Sequence, residues 1–327
     1  MSAPFVDGKA RLDAAPLHGP FCLGDDFAYR HWRDRKLRNL PTCADDLVVE
    51  VRDPLALSAA ERDAMAHRIR CAGIAIYRGP VGTSARVARR LAEQFGMQQL
   101  DRNWLATDDG VSRICVGGGG GRGDYIPYTN RPLSWHTDGY YNPPRRRIRG
   151  LVLHCVQDAL SGGENAFLDH EVAYIRIRDE SPAAIRALMA ADALTIPERV
   201  DEHGVARPAQ TGPVFFVDGD SGALQMRYTA RTRSVQWRND ADTDAAAAVI
   251  ERLLAQRGPG LFRVRLSPGM GLIANNILHN RSGFDDDPAK PRLILRARYL
   301  DAPAVRCTAN GRHVEKGTGD VGIAGGN

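Results

Sequence analysis

The 327-residue chain is 43% hydrophobic and 25% charged, the balance of an ordinary globular protein rather than of a disordered or membrane-spanning one. Its net charge of +5 implies a mild attraction for anions, but no dense Lys/Arg tract is interleaved with aromatics, so a nucleic-acid partner is not expected. Met1-Ser-Ala-Pro-Phe lacks the character of a signal peptide, and no apolar run reaches the roughly 20 residues of a membrane span. The six cysteines are scattered, so a cytoplasmic, membrane-free protein without a disulfide framework is expected.

Residues 1–45 read as an irregular N-terminal arm, because Pro4, Pro16, Pro20 and Pro41 break any long element. The aromatic and basic stretch from Phe27 to Leu37 suits a packed arm or a dimer contact, and a homo-oligomer is the expected state. Leu47 to Val51 is a predicted strand. Ser58-Ala-Ala-Glu61 is a capping box, in which hydroxyl and carboxylate satisfy reciprocal backbone donors. A helix is therefore predicted from Ala59 to Cys71, stopped at Gly73. Ile74 to Tyr77 follows as a strand and Ser84 to Phe95 as a second helix, with Leu91 and Phe95 on one apolar stripe. The run Gly117 to Gly121 lacks the Lys-Ser/Thr of a phosphate-binding loop and reads as a mobile loop before the next strand.

Arg149 to Gln157 reads as a buried strand with His154 as a core residue, and Arg145-Arg146-Arg147 as a solvated strand end. After Gly162-Gly163, Ala166 to Asp169 reads as the start of a helix-turn region that continues over 170–178 and 182–191. Val214 to Val217 and Ala223 to Tyr228 form a predicted strand pair around the turn Asp218 to Gly222. Asp242 to Gln256 is the clearest long helix. Leu261 to Leu266 alternates as a strand, and Pro268-Gly269 turns the chain into an apolar strand that ends at His279. Residues 46–306 are expected to form a single domain, and the Gly-rich 307–327 a flexible tail.

One stretch in this frame carries metal-type chemistry. In a strand, side chains i and i+2 share a face, so His136 and Asp138 of His136-Thr-Asp138 can meet one ion. Far downstream His279 supplies a second imidazole, and Pro291-Arg292-Leu-Ile-Leu-Arg296-Ala-Arg298 follows it. Two histidines and one carboxylate on one face are the ligand set of non-haem Fe(II) oxygenases. A zinc hydrolase accepts the same set. Arg292 favours iron, because its guanidinium suits a dicarboxylate co-substrate.

These elements resemble the taurine dioxygenase and clavaminate synthase-like family of Fe(II)/2-oxoglutarate oxygenases. The resemblance implies that His136, Asp138 and His279 are the catalytic iron ligands and that Arg292 grips the far carboxylate of 2-oxoglutarate, with O2 as the other co-substrate. Gly162-Gly163-Glu164-Asn165 matches the family's Gly-Gly-acid-Thr element, with Asn165 where Thr usually helps to bind 2-oxoglutarate. Its amide can still donate. Arg296 matches a position where relatives place a second anion-binding arginine. The implied fold is mixed α/β with a mainly β core, a double-stranded β-helix or jelly roll with peripheral helices, and the many short strands suit it. The implied activity is oxidation of a small molecule, hydroxylation by default, with release of succinate and CO2. Because Asp138 is present, the halogenase variant of this group is not expected.

For the substrate, Arg292 and Arg296 share a face in an unbulged strand, so Arg296 is left either to meet a second anion or to brace the 2-oxoglutarate or a neighbouring acid. Trp135 and Tyr140 flank the ligands as aromatic walls, Tyr140 on the ligand face if the strand continues past Asp138. A small polar substrate with a carboxylate or sulfonate, amino-acid-like, is expected. Two alternatives stay open: a metal-dependent hydrolase with the same three ligands, and a non-catalytic barrel that binds a small acid.

Overall fold

The computed structural model describes residues 18–82, 86–101, 110–117, 125–201, 204–231 and 235–305. Two main sheets form the centre. The larger runs in the order Val48–Glu50, Ile74–Arg78, Met270–Asn275, Gly150–Gln157, Leu293–Tyr299, Ser112–Ile114. Its first pair is parallel and the others are antiparallel. The smaller is wholly antiparallel, in the order Leu261–Val264, Asn165–Leu168, Leu278–Arg281, Leu133–His136.

Strand alternation decides which side chains fill which layer. Ile74, Leu153, Leu272 and Ile294 of the larger sheet meet Phe167 and Phe262 of the smaller in one buried cluster, so the sheets pack face to face. On the outer side of the larger sheet, Ala75, Tyr77, Val152, Ile273 and Leu295 pack under α2 (Ala59–Ala72) and α3 (Val87–Gln94). Ala166, Leu168 and Leu278 on the outer side of the smaller sheet are covered by α4 (His170–Glu180), α5 (Pro182–Leu188) and α6 (Ala241–Ala255). The fold is thus mixed α/β with a mainly β core and its helices outside. Among the described residues, no helix is long and apolar enough to cross a membrane.

The expected capping box is formed. Ser58 Oγ accepts from the Glu61 N–H at 3.3 Å, and the Glu61 carboxylate accepts from the Ser58 N–H at 2.7 Å. Gly73 then ends α2 at φ +72°, where a Cβ would come within 2.7 Å of Ile277.

Three expectations are corrected. The apolar strand does not run on to His279: Met270–Asn275 belongs to the larger sheet, and Leu278–Arg281, which carries His279, to the smaller. Ala166 to Leu168 do not start a helix: Asn165–Leu168 is an inner strand of the smaller sheet, and α4 begins only at His170, with Asp169 as its N-cap. All four strand residues are buried, which removes the polar alternation that would have marked them. The arm is not irregular throughout, because Asp26–Arg38 forms helix α1, capped by Asp25 accepting from the Ala28 N–H at 3.0 Å. The Gly118–Gly121 part of the glycine run and the tail 307–327 lie outside the described residues.

α1 is held by polar contacts as much as by its aromatics. Tyr29 donates to the Asp179 carboxylate at 2.7 Å, and the buried Lys36 ammonium lies 2.6 Å from both Asp169 and Glu171. Burial alone would raise the Asp169 pKa, but Lys36, acting with the Glu171 N–H and other neighbours, holds the carboxyl below its ordinary range. Lys36→Ala would leave Asp169 buried without its cation, at a cost of about 3–5 kcal/mol. Urea unfolding at neutral pH should show that loss. The difference should narrow in acid, because a depressed carboxylate contributes above its unfolded pKa of about 3.9 and loses that contribution as pH falls through the folded value.

Candidate active site

His136 closes the strand Leu133–His136, and His279 is the second residue of Leu278–Arg281. The ladder pairs them directly, and their ring centroids are 4.3 Å apart. In each ring Nδ1 lies against the carbonyl two residues earlier, Ser134 O at 2.9 Å and Ile277 O at 3.0 Å. A carbonyl can only accept, so these contacts assign the proton to Nδ1 and leave each Nε2 lone pair for a ligand.

Asp138 lies beyond the end of the strand. Its backbone is fixed by the side chain of Asn276, which accepts from the Asp138 N–H at 2.8 Å and donates to Asp138 O at 2.8 Å and Ile148 O at 2.9 Å. Gly139 follows at φ +64°, where a Cβ would meet Ile148 at 2.6 Å, so the chain can turn sharply there only with glycine. Ligand atoms of His136, Asp138 and His279 all lie within 4.8 Å of one another, and the three residues are buried. No other such group of His, Cys, Asp or Glu occurs among the described residues.

The electrostatics suit a divalent ion. Burial alone would raise the Asp138 pKa, but the guanidiniums of Arg296, 3.4 Å away, and Arg298 help to hold it well below the carboxylate range. Burial pushes His279 down to about 4, so its imidazole is neutral near pH 7. Asp138 Oδ2 is buried and accepts no hydrogen bond among the described residues. A lone carboxylate oxygen beside two imidazole acceptors is an arrangement that a cation would satisfy.

Arg292 is 6% exposed. Its backbone N–H donates to Asp286, and its guanidinium lies 5.1 Å from the centre of the Phe284 ring, with no carboxylate paired to it among the described residues. Burial lowers its pKa. Gly163, at φ +71°, lies under it: a Cβ there would be 3.5 Å from Arg292 Nε. Asn165 is buried opposite Arg281 and donates to Asn280 O at 3.1 Å. Arg296 stands on the inward face of its strand with Ile294, and its Nη1 is engaged by Asp138.

The aromatic wall differs from expectation. The strand ends at His136, so Tyr140 does not reach the site by strand alternation. The turn at Gly139 carries it there instead, and its ring stands edge-on to His136 at 6.5 Å. Trp135 points the other way. It packs with Leu278 and Tyr228 in the cluster under the helices, on the opposite face of the smaller sheet, and forms no wall of the site.

Three residues escaped the sequence reading. Asn276 was visible only as one of two adjacent asparagines. Arg281 is buried, donates to the carbonyls of Thr129 at 2.8 Å and Arg131 at 2.6 Å, and lies over the same Phe284 ring as Arg292. Arg298 pairs with Asp101 at 2.6 Å and donates to the Tyr141 hydroxyl at 3.1 Å. Partners so distant in sequence leave no local motif.

The family described as taurine catabolism dioxygenase TauD, TfdA family, matches residues 34–298, a span that contains both histidines, Asp138 and Arg292. The chain belongs to this dioxygenase family. It is an Fe(II)- and 2-oxoglutarate-dependent dioxygenase, and the hydrolase and non-catalytic alternatives give way. A uridine-5'-phosphate dioxygenase from Streptomyces sp is 31% identical over 247 residues, covering 71% of this chain and 86% of that relative. One from Amycolatopsis sp is 31% identical over 173 residues, covering 52% and 61%. In fold the dioxygenase is similar to the non-heme iron oxygenase OrfP, with TM-score 0.54, 16% identity and coverage of 75% and 82%. An asparagine oxygenase with Fe(II), hydroxyasparagine and succinate matches with TM-score 0.51, 13% identity and coverage of 76% and 85%.

Asn276 touches no ligand atom, yet it fixes the backbone that presents Asp138. Asn276→Ala should weaken divalent-metal binding about 10–100-fold while the protein stays folded, as loss of supporting contacts commonly does. Metal titration followed by calorimetry, with circular dichroism as the folding control, checks this. An unchanged affinity would mean that Asp138 needs no such clamp.

Proposed function

We propose that His136, Asp138 and His279 hold the iron, that Arg292 and Asn165 hold 2-oxoglutarate, and that the oxidised substrate is a small molecule carrying an anionic group. The observation that carries this reading is a buried guanidinium that no carboxylate pairs among the described residues, Arg292, beside Cys155 of the inter-sheet cluster, together with a buried His–Asp–His group. The core is read as a double-stranded β-helix, and residues 46–306 as one oxygenase domain.

Bound iron supplies the activation of O2, which couples conversion of 2-oxoglutarate to succinate and CO2 with oxidation of a substrate C–H bond. The remaining roles belong to the chain. Ser134 and Ile277 keep the two imidazoles in the ligating tautomer. Arg296 keeps Asp138 ionised, and its own Nε is buried without an acceptor among the described residues, which leaves it able to meet a second anion. Arg292 offers a planar fork to the distal carboxylate, buried beside the Phe284 ring, where charge-assisted bonds are stronger. Tyr140 walls the substrate side of His136.

Hydroxylation is the proposed outcome. Among anions, a phosphate monoester leads over the carboxylate or sulfonate that the sequence suggested, because the 31% identical Streptomyces sp relative is named for uridine 5'-phosphate. The test is succinate release from 2-oxoglutarate with Fe(II) and a panel of uridine 5'-phosphate, uridine, taurine and amino acids. Stimulation by the phosphate compound supports the reading, and stimulation only by uncharged compounds overturns it.

Arg292→Ala should raise the 2-oxoglutarate concentration needed by about tenfold or more, since each charge-assisted bond is worth about 1.5–3 kcal/mol. The KM for the primary substrate should move far less. Arg292→Lys should recover only part, because an ammonium lacks the fork. Unchanged 2-oxoglutarate dependence in Arg292→Ala would place the anchor elsewhere.

A further inference from the structure

A second group of unpaired arginines lies next to Tyr140, away from Arg292. Arg207 ends the strand Gly204–Arg207 and is paired in register with Arg199 across the hairpin. Its Nη2 donates to Pro197 O at 2.7 Å, while its Nη1 is buried without an acceptor among the described residues. The guanidinium carbon is 5.5 Å from the centre of the Tyr141 ring. Arg231 lies beside the Tyr140 phenol, on which its charge acts directly.

The two tyrosines are themselves fixed. Their rings stand edge to face at 5.1 Å, Tyr141 accepts from Arg298 at 3.1 Å, and Tyr140 stands against the candidate iron ligand His136. Among the described residues no carboxylate forms an ion pair with Arg199, Arg207 or Arg231. The fold thus gathers several cations at the tyrosine pair, and among the described residues no acid pairs with Arg207 or Arg231. A half-buried guanidinium with an unsatisfied N–H loses hydration without gaining a partner, and an anionic ligand is the simplest group that would restore it.

We propose that Arg207, over the Tyr141 ring, and Arg231, beside the Tyr140 phenol, form the subsite that binds the phosphate of a phosphomonoester substrate. The proposal rests on the reading that oxidation takes place at His136, Asp138 and His279. The charge of the ligand follows from the number of cations. One guanidinium suffices for the monoanionic carboxylate of an amino acid, whereas two guanidiniums at one tyrosine pair match the two charges and several acceptor oxygens of a phosphate monoester. Arg296 has its Nη1 engaged by Asp138 and is not one of this pair. The phosphate would be held past the Tyr140 ring, with the rest of the substrate extending along that ring toward the ligand histidines.

The test is calorimetric binding of uridine 5'-phosphate and of uridine to the full chain loaded with Mn(II) and 2-oxoglutarate. Wild type should bind the phosphate compound at least about tenfold more tightly than uridine. Arg207→Gln and Arg231→Gln should each weaken uridine 5'-phosphate by about tenfold and leave uridine and 2-oxoglutarate unchanged. Arg207→Lys, which keeps the charge and a donor for Pro197 O, should recover part of the loss. Equal binding of the two ligands by wild type overturns the proposal, and so do Gln variants with undiminished phosphate affinity. In either case succinate release measured on the same preparations reports separately on the oxygenase reading. Weakened 2-oxoglutarate binding in the Gln variants would mean that these arginines belong to the co-substrate site, which also overturns it.

Discussion

The site depends on one cross-strand register. His279 sits between two antiparallel partners, with His136 opposite on one side and Phe167 on the other. Side chains alternate along a strand, so a slip of one residue would move His279 from the inter-sheet space to the helix-covered face. The same alternation sends Leu278 and Trp135 outward into the helical cluster while the two imidazoles point inward. The apolar layers on both faces therefore hold the histidines in place more firmly than any contact the rings make themselves. The carboxylate lies past the strand and has no ladder to fix it, so its position depends on the Asn276 clamp and on the turn that Gly139 permits.

Charge is distributed by the same economy. Several arginines are buried, and most are satisfied internally. Arg298 has Asp101, and Arg281 donates to backbone carbonyls, as does Arg227 to those of Gln210, Gly212 and Pro213. Arg292 departs from this pattern: it is equally buried, and neither a carboxylate nor a carbonyl takes its guanidinium among the described residues. In a low-dielectric setting such a group is costly unless a ligand completes it, and a dicarboxylate co-substrate fits that requirement. Cations already engaged by the fold hold the frame, and those left unengaged mark where acids bind.

How much could be read in advance follows from the range of each interaction. The α2 boundaries were legible because Ser58, Glu61 and Gly73 act within one turn of the residues they cap. The ligand types were legible because His136 and Asp138 are two residues apart and Arg292 follows His279 closely, a pattern strong enough to carry a family resemblance. The strand Asn165–Leu168 was not, since burial on both faces leaves no alternation to read. Helix α1 was obscured by its many charged residues, and it is stabilised by partners such as Asp169 and Asp179 that are remote in sequence. Asn276 and Arg207 gave no signal for the same reason: what they touch is set by the ladder and the hairpin, not by their neighbours. Trp135 was misplaced because adjacency to a ligand in a strand means the opposite face.

The central claim is that the His–Asp–His group and Arg292 serve one bound ion and one bound dicarboxylate that touch each other. Titrating 2-oxoglutarate into the protein by calorimetry under anaerobic conditions, with and without Fe(II), tests this directly. If one molecule bridges both, the metal should tighten 2-oxoglutarate binding by about tenfold or more at a stoichiometry of one, and 2-oxoglutarate should tighten metal binding by the same factor. Identical 2-oxoglutarate affinity with and without the metal would show two independent sites and contradict the account.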